Sequence, residues 1–161
     1  MKESMLYCPS CEEEQSFCFE DREQEYDVRG EVITLTVPLW VCPVCGETIV
    51  DDEFGDPIEK AYEAYRKRKG LLTPADIQDI RTRWGLSQAA FASLLGMSQA
   101  TINRYEHGSI QQEKEDELIR ACANPRHMAD LIQRHRAIAA NLAAIGFELP
   151  TVNEAWGTHG N

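Results

Sequence analysis

Two short cysteine motifs are the residues of this chain whose spacing most clearly predicts chemistry. Two residues separate Cys8 from Cys11, two separate Cys42 from Cys45, and 30 residues lie between the pairs. Each Cys-x-x-Cys turn offers two thiolates, and two such turns complete the tetrahedral shell of a structural Zn²⁺. The spacing therefore predicts one structural zinc ion with four sulfur ligands and no open position for catalysis.

Two other interpretations of these cysteines are a dithiol redox site and unliganded thiols that fill a core. A reducing cytoplasm is the compartment expected for a chain without a secretory signal near its start, and it disfavours disulfides. Cys18 and Cys122 stand alone, and we expect both to be small core residues. The histidines show no ligand spacing and are assigned no chemistry.

The second candidate site lies between positions 86 and 108, where Ser87 and Ser98 start two short helices that end at Gly96 and Gly108. Apolar residues in this segment recur where two crossing helices share a core. The predicted core residues are Phe91, Leu94, Leu95, Met97, Ile102 and Tyr105. Two capped helices with a short turn between them are typical of a helix-turn-helix.

The second helix of this pair presents short polar side chains and one arginine, without an acidic residue, at its N-terminal part. In a major groove, arginine pairs with guanine and asparagine or glutamine with adenine, while a helix N-terminus binds phosphate. Gln88, at the start of the preceding helix, is placed to contact the DNA backbone. The predicted DNA-binding residues are Gln88, Ser98, Gln99, Ala100, Thr101, Asn103 and Arg104. Because residues 73–109 carry three basic and three acidic side chains, an all-α protein–protein module is the alternative.

The elements that must position the cysteines are strands. Residues 24–29 and 32–41 are β-prone runs that predict an antiparallel hairpin, with 48–50 as a possible third strand. Helical spacing follows over 58–69 and ends in the basic run 66–69. Such a run suits a helix C-terminus, and the other interpretation is a linker that contacts phosphate.

From position 71 the pattern changes to short helices with clear start signals, at 73–85, 88–95, 99–107, 113–124 and 125–145. The predicted fold is α+β. A small zinc-stapled antiparallel β domain with one helix spans 1–69, an all-α helix-turn-helix domain of about five helices spans 70–149, and a tail spans 150–161. One hypothesis for the joint at 66–72 is a flexible linker, in which case limited proteolysis should release two resistant halves.

Composition bounds the function. The 161 residues are 43% hydrophobic and 27% charged, values of a soluble globular protein, and no apolar run approaches the roughly 18 residues of a membrane span. The net charge of −11 argues against a basic nucleic-acid coat, but residues 1–70 carry 17 acidic and 8 basic side chains against 10 and 8 in 71–161. No nucleophile–base set or phosphate-binding glycine loop is visible, so we expect a regulator and not an enzyme.

The helix-turn-helix segment, from Ser87-Gln88 through Leu95-Gly96-Met97-Ser98 to Arg104-Tyr105-Glu106-His107-Gly108, resembles the Xre/Cro type of phage repressor. Together with the upstream cysteine motifs and the run from Val37 to Cys42, it resembles the MqsA antitoxins, also called YgiT-type proteins, over residues 6–132. Helix-turn-helix motifs alone are common, whereas these two motifs in this order are far more specific.

The resemblance implies a type II antitoxin that also represses its own operon. Its zinc domain would bind a ribonuclease toxin, and its second domain would dimerise on palindromic operator DNA. Cys8, Cys11, Cys42 and Cys45 match the family's zinc ligands, and Arg104 matches a base-reading arginine. Ala100 stands where an amide reads a base in MqsA itself, which implies a different operator. The alternative is a stand-alone zinc-containing regulator, and residues beyond 135 are predicted to form a dimer contact or a docking site.

Overall fold

The computed structural model describes residues 2–146. The chain divides into two compact units, and the division falls between Arg68 and Lys69. No helix in the described range is long and apolar enough to cross a membrane.

The first unit is a four-stranded antiparallel sheet followed by one helix. Its strands are β1 (Glu3–Cys8), β2 (Glu13–Val28), β3 (Glu31–Val41) and β4 (Thr48–Val50), and they pair in the order β1-β2-β3-β4. Helix α1 (Pro57–Lys69) follows. The β2–β3 hairpin turns at Arg29 and Gly30, both with positive φ, where the sequence predicts the turn.

The sheet is larger than the sequence predicts, because β1 and the first half of β2 were not expected as strands. Residues 13–23 are mostly polar and acidic, so they lack the apolar alternation that identifies a strand. In β1 the alternation is hidden, since Met5 and Tyr7 face solvent while Leu6 and Cys8 face inward. Pairing with β1 on one side and β3 on the other holds this part of β2 extended.

Strand β3 has buried side chains on both faces of the sheet, at different positions along its length. Ile33 and Val37 are buried on one face, whereas Trp40 is buried on the other, as the alternation of side chains along a strand requires. Trp40 packs with Phe17, Cys8 and Cys42 in a small cluster at the end of the sheet. The zinc-proximal core is therefore separate from the face that carries Ile33 and Val37.

Six helices make up the part of the second unit that the structure describes, up to residue 146. They are α2 (Pro74–Arg83), α3 (Gln88–Leu95), α4 (Gln99–Glu106), α5 (Glu113–Ala121), α6 (Pro125–Arg134) and α7 (Arg136–Ala144). The predicted N-caps are confirmed: Thr73 forms a capping box with Asp76, and the hydroxyl groups of Ser87 and Ser98 accept backbone hydrogen bonds. The predicted helix-turn-helix core is also confirmed, with Phe91 and Ile102 fully buried.

The single helix predicted over 125–145 is two helices, because His135 leaves the helical conformation at φ −105° and ψ 80°. The Nδ1 atom of His135 lies 2.9 Å from the carbonyl oxygen of Leu131, the acceptor that a continuous helix would give to the His135 amide. The break allows Ile132 and Leu142 both to reach the core of the unit. Residues 147–149 of the predicted helical domain and the tail 150–161 lie outside the described residues.

A buried polar cluster fixes the first residues of the second unit. The carboxylate of Asp116, which is 4% exposed, accepts hydrogen bonds from the Leu72 amide and from the Gln111 side chain, each at 2.8 Å. Arg120 donates to Asp116 at 3.1 Å and to the carbonyl oxygen of Gly70 at 2.7 Å. Gly70 and Leu72, which were expected in a flexible joint, are therefore held to α5.

Replacing Asp116 with alanine should destabilise the second unit, because it removes the carboxylate that accepts hydrogen bonds from the Leu72 amide and from the Gln111 side chain. We expect a decrease of about 2–4 kcal/mol in the free energy of unfolding. Glu117→Ala, at an exposed neighbouring position on the same helix, should cost less than about 0.5 kcal/mol. Urea denaturation followed by far-ultraviolet circular dichroism measures both, and equal values would contradict the assignment.

Candidate metal centre and nucleic-acid interface

Strand order brings the two cysteine motifs together. Strands β1 and β3 lie on either side of β2 and are both antiparallel to it, so they point in the same direction. Cys8 is the last residue of β1, and Cys42 directly follows β3. The 30 residues between the motifs are thus taken up by the β2–β3 hairpin, which returns the chain to its starting end.

The four sulfur atoms form one cluster. The Sγ atoms of Cys8 and Cys45 are 3.5 Å apart, those of Cys11 and Cys42 are 3.9 Å apart, and all four lie within 4.8 Å of one another. Sulfur atoms in a tetrahedral zinc site are about 3.8 Å apart, given Zn–S bonds of about 2.3 Å. Cys8, Cys11, Cys42 and Cys45 therefore form a site for one structural Zn²⁺.

The two turns that carry the cysteines share one backbone pattern. The amide of Glu12 donates to the carbonyl oxygen of Cys8, and the amide of Gly46 donates to that of Cys42, both at 2.9 Å. Glu12 and Gly46 both adopt positive φ, at 56° and 79°. Glycine takes this conformation readily, whereas a glutamate there is uncommon, so the first turn is held despite an unfavourable residue.

The surroundings of Cys42 favour ionisation of its thiol. Its burial opposes ionisation, but hydrogen bonds from the backbone amides of Cys45 and Val44 outweigh this and lower its pKa to about 7. The pKa of Cys11 is raised, chiefly by its hydrogen bond with the Cys45 side chain and by burial. Because all four ligands must be thiolates, zinc binding displaces protons from this site.

The remaining cysteines lie outside the cluster. Cys122 is fully buried in the helical core, as predicted, and burial raises its pKa to about 12. Cys18, in β2, is only half-buried, so it is not the buried core residue that the sequence predicts. No histidine within residues 2–146 joins the metal cluster.

Helix α4 presents most of the predicted DNA-binding residues together. Ser98, Gln99, Ala100, Asn103 and Arg104 are all exposed on or just before α4. Thr101 is half-buried; its hydroxyl group lies 2.9 Å from the Ser98 hydroxyl and accepts a 3.3 Å hydrogen bond from Arg104. The arginine side chain is thus steadied from within α4.

A three-residue turn joins α3 to α4. Gly96 adopts a left-handed conformation at φ 68°, and the amide of Met97 donates to the carbonyl oxygen of Ala92 at 2.9 Å. This pattern ends α3 and leaves Ser98 to cap the next helix. The turn and the shared core make α3 and α4 a helix-turn-helix.

The chain is similar to a known family of bacterial proteins. The sequence profile of the antitoxin component of bacterial toxin–antitoxin systems, MqsA, matches residues 6–136. The chain belongs to the MqsA antitoxin family. No curated protein matches the chain. The match to the family covers all four cysteines and the whole of α4, and it ends at Arg136, the first residue of α7.

In this member of the MqsA family, a buried ion pair that the sequence did not reveal supports α4. The Nε and Nη2 atoms of Arg81 lie 2.6 and 3.0 Å from the two carboxylate oxygens of Glu106, whose side chain is 3% exposed. Arg81 also donates to the carbonyl oxygen of Leu86 at 2.8 Å. The sequence contains one signal of this ion pair. An acidic residue at the C-terminal end of a helix interacts unfavourably with the helix dipole, so it needs a positively charged partner.

Glu106 is held in its charged form. Burial favours the neutral acid, but hydrogen bonds from Arg81 and from Gln88 outweigh it and lower the pKa of Glu106. The Nε2 atom of Gln88 lies 2.9 Å from Glu106 and 3.4 Å from the Oδ1 atom of Asn103. Gln88 is thus engaged with α4, and it is not simply turned out towards solvent.

The basic run 66–69 is partly used inside the first unit. Arg68 donates to the carbonyl oxygen of Val32 at 3.2 Å and lies 3.6 Å from the Glu31 carboxylate. Arg66 is 4% exposed. These two arginines serve the first unit, which favours the helix-end interpretation for them.

Substitution of a zinc ligand should separate metal binding from the rest of the chain. Cys42→Ser should abolish stoichiometric zinc and unfold the sheet, because metal binding and folding are coupled in a small site of this kind. Cys18→Ser is the matched control and should retain one zinc ion per chain. Inductively coupled plasma mass spectrometry and circular dichroism measure both effects, and a folded, zinc-free Cys42→Ser sheet would contradict the structural role.

Breaking the buried ion pair should cost more than removing it whole. Arg81→Met leaves the Glu106 charge buried and unpaired, so we expect a loss of about 3–5 kcal/mol in the free energy of unfolding. The double variant Arg81→Met, Glu106→Leu should lose clearly less. Urea denaturation of both variants gives the comparison; a larger loss in the double variant would show that the pair itself stabilises the unit.

Proposed function

We propose that this chain is the antitoxin of a type II toxin–antitoxin system. It neutralises its toxin through the first unit, which contains the zinc site, and it represses its own operon through α4. The observation that carries the proposal is the family match over residues 6–136, which includes both sites. The chain acts by binding and not by catalysis, because a four-sulfur zinc shell leaves no position for water or substrate.

Duplex DNA is the proposed partner of the second unit. Gln99, Ala100, Asn103 and Arg104 are exposed on a helix without acidic residues among its first six positions. The free backbone amides at the start of this helix, beside Ser98, suit a phosphate. A homodimer formed by the second unit would double these contacts and match a palindromic operator.

The cognate toxin is the proposed partner of the first unit. Asp21, Glu23, Glu25 and Asp27 alternate onto one face of β2, and all four are exposed. A face with this charge attracts a basic protein and speeds their association. The excess of acidic side chains in residues 1–70 agrees with a basic toxin, such as a ribonuclease that itself binds RNA phosphates.

Two full-length variants should separate the two roles. Arg104→Ala should weaken binding to duplex DNA from upstream of the chain's own gene by about 1–3 kcal/mol and should leave toxin binding unchanged. Cys42→Ser should lose the toxin and keep the DNA. Arg126→Ala, which removes the same charge from an exposed position of α6, is the control for Arg104.

The measurements are gel-shift titration for DNA and, for the toxin, affinity purification of the tagged chain from its native cells with mass spectrometry. We expect one small basic protein, retained in stoichiometric amount by the wild type, whose expression alone stops growth. Recovery of no stoichiometric protein would favour a stand-alone regulator. DNA binding of Arg104→Ala equal to that of Arg126→Ala would contradict the assignment of α4.

A further inference from the structure

A chain of four side chains connects the buried ion pair to the exposed surface of α4. Arg81 on α2 donates both Nε and Nη2 to the Glu106 carboxylate at the end of α4. Gln88 at the start of α3 donates its Nε2 to the same carboxylate at 2.9 Å. The same nitrogen lies 3.4 Å from Oδ1 of Asn103, which is exposed on α4. A buried charge is thereby linked to one residue of the proposed DNA-contacting surface.

The ion pair fixes which way the Gln88 amide points. An ionised carboxylate can only accept hydrogen bonds, and Glu106 is kept ionised by Arg81. The nitrogen end of the Gln88 amide must therefore face Glu106, because its oxygen would be repelled there. The two hydrogens of this nitrogen are then directed to Glu106 and to Asn103.

The Gln88 amide in turn fixes the orientation of Asn103. A nitrogen that donates to Asn103 requires the oxygen of Asn103 on that side, since two amide nitrogens facing each other would both be donors. The NH₂ group of Asn103 is consequently left at the other end of the amide. Asn103 therefore meets a partner with its NH₂ group outward, while its oxygen uses one of its two lone pairs to accept from Gln88.

We propose that Gln88 is a positioning residue that turns the NH₂ group of Asn103 outward, and that Asn103 thereby selects guanine over adenine at one base pair. This inference rests on the proposed function, because it assumes that α4 lies in a major groove. Guanine offers two neighbouring acceptors, O6 and N7, to an NH₂ group. Bidentate recognition of adenine needs both the oxygen and the nitrogen of an asparagine at the edge of the base, and here the oxygen faces Gln88 at 3.4 Å.

A second consequence concerns the role of Gln88. Both hydrogens of its amide nitrogen have partners inside the unit, so this side chain has no donor left for a phosphate. Any contact between the start of α3 and the DNA backbone is then made by main-chain amides next to Ser87, whose hydroxyl caps the helix. Gln88 acts on the DNA through Asn103.

The test is selection of duplexes from a pool of random sequence by the full-length protein, with the retained sequences counted. Asn103→Ala identifies the base pair that depends on Asn103. Gln88→Leu keeps the approximate size of the side chain but removes the donor, and it should raise the share of adenine relative to guanine at that base pair by about fivefold or more. Gln88→Lys, which again offers only donors, should restore the guanine preference. Gln133→Leu, the same change at an exposed position of α6 outside the chain of bonds, should leave that base pair unchanged.

The outcomes separate the inference from the proposed function. If the wild type enriches no sequence, both are overturned. If it enriches a sequence but the Asn103 position selects adenine, or Gln88→Leu leaves the preference unchanged, the inference alone is wrong. If Asn103→Ala alters no base pair, Asn103 does not contact bases and the inference is also wrong.

A measurement without DNA covers the case in which a variant does not fold. In the free wild-type protein, the side-chain NH₂ protons of Gln88 should exchange with water more slowly than those of Asn103, as detected by nuclear magnetic resonance. Slow exchange at Gln88 that disappears in Glu106→Gln supports the chain of bonds. Equal, fast exchange at Gln88 and Asn103 in the wild type would overturn it.

Discussion

Zinc coordination by four cysteines is the constraint on which the first unit depends. The sheet has a small core at its zinc end, formed mainly by Phe17, Trp40 and two of the ligands themselves. A core of this size buries little apolar surface, and a small domain of this kind usually needs a metal or disulfide to be stable. The coordination shell supplies that stabilisation and fixes the ends of β1 and β3 to each other.

The second unit is stabilised differently. Its apolar core encloses two separate clusters of polar interactions. The pair of Arg81 and Glu106 joins the end of α2 to the end of α4, and Asp116 joins α5 to the backbone of Leu72. Each charge is costly to bury and is tolerated because several hydrogen bonds satisfy it. These interactions have directions, so they define the orientation of the helices more strictly than apolar packing does.

The distribution of charge matches the two proposed activities. The first unit is acidic, with a row of exposed carboxylates on β2, whereas α4 carries no acidic side chain before Glu106. Glu106 itself is neutralised by Arg81 and is 3% exposed. An acidic chain can thus present α4 to DNA without an exposed carboxylate from that helix, because the Glu106 side chain is buried and paired.

Local patterns in the sequence determined the metal ligands, the helix starts and the helix-turn-helix core. Two Cys-x-x-Cys turns define a zinc shell whatever lies between them, and a cap such as Thr73 or Ser98 needs only the next three residues. Tertiary structure alone decided the length of β2, the break at His135 and the bonds from Arg81 through Gln88 to Asn103. For β2 and for these bonds the stabilising partner is distant in sequence or belongs to another element, and the break at His135 is favoured by the packing of both Ile132 and Leu142 in the core. The energy that selects each conformation therefore appears only when the chain has folded.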